Sequence, residues 1–512
     1  MRRRVLVALV AAAVGVAPRV GAQSAATRVI EAVKAGDRAA LGRLVAGRAD
    51  VNAAEPDGTT ALHWAARNGS VELAQALLRA GASATPANRF GVTPLGLAAQ
   101  NGDAAMLRLL LDAGAPVSTA TPEGETVLMT ASRTGRPEAV RLLLDRGADP
   151  NARETWQGET ALMWAAAENH AEVVKLLASK GADLDAHSKT LEYPNVKVDF
   201  STTVFIAMPH GGFTPLMFAA REGAREAALA LADAGAMLDA ADPDGTTALV
   251  LAIINAHYDV AAALLDKGAN PNAGDSAGMA ALYAAVDMRH LEPLVNRPSP
   301  KPSGRLGALD LIRLLLDRRA DPNQALKTPL LMRQHNFGDA SLGAGATPLM
   351  RAAKVSDAAL MRLLLEKGAD PNARMKNQTT ALMVAASRPL RNGPPEKATN
   401  EAIALLIDRG ADVNAANDTG ETALHVAVGR GDAVVRFLVE KGARLDATDK
   451  YNRTPLDVAM GAPGRPGRGG APAERGPVRE STAVLLRQLM GLPPAPAQPT
   501  PSPSAGAEPA AP

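Results

Sequence analysis

Eight histidines (63, 170, 187, 210, 257, 290, 335 and 425) are the residues of this 512-residue chain best suited to acid–base or metal chemistry, and their spacing gives them little of it. His187 and His210 bracket one stretch and could meet across its base, but no third ligand stands with them. Met129, Met163, Met217, Met350 and Met383 recur at one point of a repeated run. A row of thioethers is Cu(I) chemistry, yet a methionine set once per unit is better read as an adaptable filler of packing gaps. Asp242-Pro243-Asp244-Gly245 opens like a calcium loop without the later carboxylates such a loop needs. No G-x-S-x-G, G-x-x-x-x-G-K-[ST] or H-E-x-x-H run is present. The chain has no cysteine, which excludes disulfides, thiolate zinc sites and cysteine nucleophiles. No catalytic residue, metal or cofactor is expected.

The elements that carry these residues repeat. Thr60, Thr93, Thr126, Thr160, Thr214, Thr247, Thr347, Thr380, Thr422 and Thr454 each open a short apolar run, with Ala280 in the same slot. Gly81, Gly114, Gly147, Gly181, Gly235, Gly268, Gly368, Gly410 and Gly442 each close the following one, with Arg319 in the glycine slot of one unit. Steps such as 60 to 93 and 81 to 114 are 33 residues, the period of a solenoid built from helix pairs. Threonine is a good helix cap, and Pro94, Pro215, Pro348 and Pro455 follow it at the first helical position, where no backbone donor is needed. Alanine pairs such as Ala65-Ala66 keep the first helix thin, leucines such as Leu77-Leu78 face the second inward, and Gly81 stops it in a left-handed cap.

The runs TALHWAA (60–66), TPLGLAA (93–99), TALMWAA (160–166), TPLMFAA (214–220), TPLMRAA (347–353), TALMVAA (380–386), TALHVAV (422–428) and TPLDVAM (454–460) resemble the opening of the ankyrin repeat, and the leucine-glycine-alanine stops resemble its close. The resemblance extends from about residue 25 to 491. It implies an all-α ankyrin-repeat solenoid of about twelve helix-turn-helix units, with β-hairpin fingers, two lengthened fingers and capping repeats. It also implies a concave groove, formed by fingers and first helices, that binds another protein. Only His63 and His425 keep the histidine of the family's motif, so the resemblance implies that imidazole-mediated bonds are missing from most units.

Met1 to Ala22 reads as a secretory signal: Arg2-Arg3-Arg4, an apolar run from Val5 to Ala17, and a small-residue cleavage site at Val20-Gly21-Ala22. A mature chain that begins near Gln23 in the periplasm or outside the cell is expected, without stable membrane insertion and as a monomer. These first residues hold Arg2, Arg3, Arg4 and Arg19 of the 55 basic residues and no acid, leaving 51 against 53 acidic residues. Bulk charge therefore offers nothing to a nucleic acid. Residues 25–56 read as an N-terminal capping repeat, 57–460 as the array, 461–480 as a Gly/Pro-rich insertion, 481–491 as a C-terminal capping helix and 492–512 as a disordered Pro/Ala tail. Departures from the period place insertions near 187–212 and 327–344 in fingers, and near 292–309 and 388–399 between helices. The partial alternation of Val196, Val198, Phe200, Val204 and Ile206 predicts a hairpin in the first.

Aromatics make up 3% of the chain and concentrate in fingers and insertions. Phe90, Trp156, Tyr193, Phe200, Phe205, Phe213 and Tyr451 are the candidate partner-binding residues. Phe90 and Trp156 are the sharpest, because they stand in finger-tip slots held elsewhere by Asp57, Glu123 and Asp244. Charges that follow the alanine pairs (Arg67, Arg133, Arg221, Lys354 and Arg430 against Glu168, Glu222 and Asp287) read as a solvated face. The expected function is a non-enzymatic interaction scaffold with an unknown protein partner. The alternative is an enzyme or ligand-binding protein with its site on the insertions 187–212 and 327–344.

Overall fold

The computed structural model describes residues 25–190, 197–200, 202–205, 211–291, 300–329, 342–387, 393–464 and 475–493. Among them, helices follow one another in pairs, from Ala25–Lys34 with Arg38–Ala46 to Pro455–Ala459 with Glu480–Leu489. Two compact units result: Met1–Ala165 with Lys175–Asp183, and Ala166–Val174 with Leu184–Pro512. Within the first, helix Ala61–Arg67 packs on Pro94–Asn101 and that on Val127–Thr134. Within the second, Pro215–Glu222 packs on Ala248–Ile254 and that on Ala281–Arg289. Ala65, Ala66, Ala98 and Ala99 are fully buried between first helices, and Leu77, Leu110 and Leu143 on the second helices are too. Each such leucine contributes roughly 1.5–3 kcal/mol, and it does so against a neighbouring repeat.

Helix starts follow the threonines. Thr93 Oγ1 accepts the Gly96 N–H at 3.1 Å, Thr126 the Met129 N–H at 3.2 Å and Thr214 the Met217 N–H at 3.3 Å. The residue three further on answers the cap. His63 Nδ1 accepts the Thr60 N–H at 3.1 Å while Nε2 donates to the Val92 carbonyl of the next finger at 3.0 Å. His425 does the same with Thr422 and Arg453. In the methionine units the thioether takes over the first bond: Sδ of Met129, Met163 and Met217 accepts the N–H of Thr126, Thr160 and Thr214 at 3.4, 3.4 and 3.5 Å. Sulfur is a weak acceptor and no donor, so these units keep a form of the cap and lose the bond to the next repeat.

Burial is the larger influence on both imidazoles and holds their pKa below the ordinary histidine value, against the Val92 and Arg453 carbonyls. A neutral folded imidazole contributes its stability in full above the unfolded pKa of about 6.5 and loses it as pH falls through the lower folded value. The melting temperature is therefore expected to drop on acidification from about pH 7 to about pH 5. The drop should be smaller in His63→Met/His425→Met, which installs the residue other units already use. An identical pH dependence in that variant would show that other groups cause it.

Two sets of hydrogen bonds tie neighbouring repeats at their fingers. In the first, an asparagine at the start of a finger donates to the carbonyl of the next repeat's stop residue, a glycine or, for Asn272, Arg319, and accepts the N–H two residues beyond. Asn52, Asn151, Asn272, Asn323, Asn372 and Asn414 make this pair, donating at 2.8–3.1 Å and accepting at 2.7–3.0 Å. Thr85 and Ser118 occupy the slot in two successive units and make no such bond. In the second set, finger tips are joined by one backbone bond, as from the Arg89 N–H to the Asp57 carbonyl at 2.8 Å and the Thr155 N–H to the Glu123 carbonyl at 2.7 Å. Pro122 stands at the equivalent donor position of the finger between these and has no N–H to give.

The insertion at 187–212 grows out of its finger without breaking it. Thr190 and Gly211 pair across its base, the Ser188 N–H reaches the Phe213 carbonyl at 3.0 Å, and beyond them strands Lys197–Phe200 and Thr202–Phe205 pair antiparallel, Val198 opposite Val204. The hairpin expected from the alternation is present. The insertion at 327–344 leaves a closed base too, with the Gly345 N–H on the Leu326 carbonyl at 2.7 Å; residues 330–341 lie outside the described residues. The insertion near 388–399 is shorter as a loop than expected. Its last residues belong to helix Glu396–Asp408, which is longer than the other second helices, and residues 388–392 lie outside the described ones. Arg319 takes the left-handed conformation of the glycine it replaces, at φ 65°.

Candidate partner-binding face

Finger tips are built by one polar side chain folded under the turn. Asn88 Oδ1 accepts the N–H groups of Phe90 and Val92, both at 3.0 Å, and Asp449 Oδ1 accepts those of Tyr451 and Arg453, both at 2.9 Å. The finger that carries Trp156 differs. From 147 to 160 it is one residue longer than from 81 to 93 or 114 to 126, and the longer Glu154 replaces the usual short side chain. The Glu154 carboxylate is buried and accepts the Trp156, Gln157 and Glu159 N–H groups at 2.6, 2.7 and 2.8 Å. The result is a rigid, wider tip that lifts the indole off the surface.

Phe90 is 59% exposed and Trp156 76%, the two most exposed large apolar side chains among the described residues. Both lie in the first unit. Tyr451 is half-exposed on a finger of the second, with Lys450 Nζ 5.5 Å and Arg453 Cζ 5.4 Å from its ring centre. Phe213 corrects its expectation. It is buried, edge-on to Phe218 at 5.9 Å between ring centres, with Arg221 against both rings. Its position just before the cap Thr214, five residues from Phe218, makes the pair a hydrophobic staple at the helix start. Phe200 and Phe205 lie on the paired strands. Tyr193 and His210 lie outside the described residues.

Two tryptophans were not among the candidates and belong with them. Trp64 and Trp164 occupy the fifth position of TALHWAA and TALMWAA, the slot of Phe218, and that recurrence was readable in the sequence. Each is half-buried, and its indole N–H donates to a finger carboxylate: Trp64 to Glu55 at 2.8 Å, Trp164 to Glu159 at 2.7 Å. Each also has a cation from the preceding unit on its ring, Lys34 Nζ at 4.7 Å and Arg133 Cζ at 4.7 Å, and Arg67 Cζ adds a second to Trp64 at 5.3 Å. The hydrogen bond to Glu55 is the main influence that raises the Lys34 pKa, so the ammonium stays charged. Between the two tryptophans in sequence, Gly96 and Thr130 supply little or no side chain where other units have larger ones. A shallow cleft of about 140 Å³ opens there, lined by Gly91, Gly96, Leu97, Glu125, Thr130 and Arg133.

Among the described residues no three His, Asp or Glu side chains stand together as metal ligands, and no helix is long and apolar enough to cross a membrane. What the geometry offers is exposed aromatic rings, cations held over rings, and carboxylates turned inward.

Paired helices, left-handed glycine stops and hydrogen-bonded fingers in register define a helical repeat protein. The family model for ankyrin repeats (3 copies) matches residues 29–121, 114–188, 196–275, 216–294, 305–393 and 396–465, and the chain belongs to that family. No curated protein matches the chain. The repeats make it a protein–protein interaction scaffold.

Proposed function

We propose that the chain is an exported, non-enzymatic binding protein of the bacterial envelope that holds a partner protein in the groove formed by its fingers and first helices. The exposure of Phe90 and Trp156 carries this reading. Two large rings stand on rigid finger tips in slots where Asp57, Glu123 and Asp244 serve other units, so the fold does not require them there. Finger tips whose backbone is hydrogen-bonded before binding lose little backbone entropy on docking. The arginine-rich start, the apolar run and Val20-Gly21-Ala22 support export.

The test is retention of a partner from native envelope extract by the immobilised chain, with the bound protein identified by mass spectrometry. Phe90→Ala/Trp156→Ala is expected to weaken capture at least tenfold, the scale of a lost aromatic anchor, at about 1–2 kcal/mol each, with the helical melt unchanged. Undiminished capture by that variant would refute the assignment of the face.

A further inference from the structure

The polar groups around the exposed rings are not balanced. Most acids on this face of the first unit are consumed internally, the exposed Glu123 at a finger tip being the exception. Glu55 accepts from Trp64 and Lys34, Glu159 from Trp164, Glu154 from three backbone N–H groups, and Glu125 from Thr130 and, at 3.4 Å, Arg133. The arginines are disposed differently. Arg67 and Arg89 are exposed, their guanidinium carbons 5.3 and 4.7 Å from the ring centres of Trp64 and Phe90, and among the described residues neither forms a salt bridge with a carboxylate. A guanidinium on an aromatic face gains from the ring while its N–H edge stays available in the plane, where it matches a carboxylate. Without residues 1–22 the first unit holds 16 basic and 16 acidic residues, so the imbalance is a property of this face.

We infer that the partner segment taken by this face is an extended acidic peptide, whose carboxylates meet Arg67 and Arg89 and whose apolar side chains lie against Phe90 and Trp156. The inference rests on the proposed binding function and names the chemistry of what is bound. Apart from Glu123, the face presents donors and rings to the outside and keeps its acceptors inside. It therefore selects for acceptors on the partner and against lysine-rich segments.

The chain carries its own reporter, since its three tryptophans, Trp64, Trp156 and Trp164, all lie in the first unit. The probe is a short synthetic peptide of glutamate, leucine and glycine, titrated into the full chain alongside versions with glutamine or lysine in place of glutamate. The glutamate peptide is expected to change tryptophan emission saturably and more weakly as salt is added, while the other two leave it unchanged. Arg67→Gln/Arg89→Gln should weaken the glutamate peptide about tenfold with an unaltered circular-dichroism melt, both residues being on the surface. Equal binding of the glutamate and glutamine peptides, no emission change with any peptide, or unchanged affinity in the arginine variant would each overturn the inference. Tighter binding of an oligodeoxythymidylate through the same arginines would overturn it in favour of a nucleic-acid partner. In all of these cases, loss of envelope capture in Phe90→Ala/Trp156→Ala would leave the proposed function standing.

Discussion

Replacing Arg351 by methionine is expected to cost about 3–5 kcal/mol of folding stability, the usual cost of stranding one partner of a buried ion pair. Arg351 sits at the fifth position of TPLMRAA, where other units carry Trp64, Leu97 or Val384, and it points into the second unit instead of out of it. It is 8% exposed, its Nε donates to Asp287 Oδ1 at 2.7 Å, and its Nη2 donates to the His290 carbonyl at 3.2 Å. Asp287 is 6% exposed. Beside this pair Arg289 and His290 both reach Asp357, at 2.7 and 3.0 Å. Burial works to raise the Asp357 pKa, but His290, the Leu360 N–H and Arg289 together hold it well below the carboxylate range. The contribution of Asp357 is thus present above the unfolded carboxylate pKa of about 4 and lost only as pH falls through the lower folded value. Urea denaturation at neutral pH followed by circular dichroism measures the Arg351→Met loss. Asp287→Leu/Arg351→Met should recover at least half of it, because both charges are then gone and the volume is kept. If the double variant is no more stable than the single one, lost packing and not stranded charge sets the cost.

Gly345→Ala should cost about 2–5 kcal/mol, by a different route. Gly345 has φ 89°, and a Cβ there would stand 2.7 Å from Met375 Cα, 2.9 Å from the Arg374 carbonyl oxygen and 3.0 Å from the Lys376 nitrogen. All three are backbone atoms of the next finger, which cannot rotate aside as a side chain would. Left-handed strain of about 1–2 kcal/mol then adds to overpacking of about 1–3 kcal/mol. Gly368 is the control: its φ is 92°, and a Cβ there meets nothing within 4 Å. Gly368→Ala should carry the strain alone, at about 1–2 kcal/mol. Equal losses in the two variants, measured by the same urea titration, would mean that neighbouring fingers are not in contact at Gly345.

The scaffold was legible because its determinants are local and recur. A capping threonine, an alanine pair and a glycine stop have the same consequence in each unit, so their spacing alone located the helices and most insertions. The hairpin between 197 and 205 was legible for a similar reason, since strand alternation is local. Side chains whose fate depends on a neighbouring repeat were not. Asp287 occupies a slot where Arg67 and Arg133 are solvated, and only the packing of Pro348–Lys354 on Ala281–Arg289 brings Arg351 to it. Arg430, placed on the solvated face by the same logic, instead donates to the Pro394 carbonyl at 2.7 Å and to Thr399 Oγ1 at 2.6 Å. The methionine slot fell between these cases. Its loss of the imidazole was plain in the sequence, whereas the Sδ contact that keeps half of the cap is a matter of rotamer. Phe213 was legible in principle as a staple to Phe218 and was misread by its nearness to the insertion.

The missing rungs at Thr85, Ser118 and Pro122 bear on how such a stack comes apart. In a linear array each junction opens with a free energy set mostly by its own two faces. At the junction between the repeats that start at Thr93 and Thr126, both finger tethers are absent: Thr85 leaves the Gly114 carbonyl without an amide, and Pro122 cannot donate to the finger before it. Cohesion there falls mainly to the apolar packing of helix Pro94–Asn101 on Val127–Thr134 and of Ala104–Asp112 on Pro137–Asp145, with one exposed ion pair, Arg146 to Asp112 at 2.7 Å, that adds little. Apolar contact tolerates sliding in a way that directed bonds do not. This junction is therefore the compliant joint of the first unit, and Phe90 and the shallow cleft lie on it, so a bound segment would bridge the joint and stiffen it.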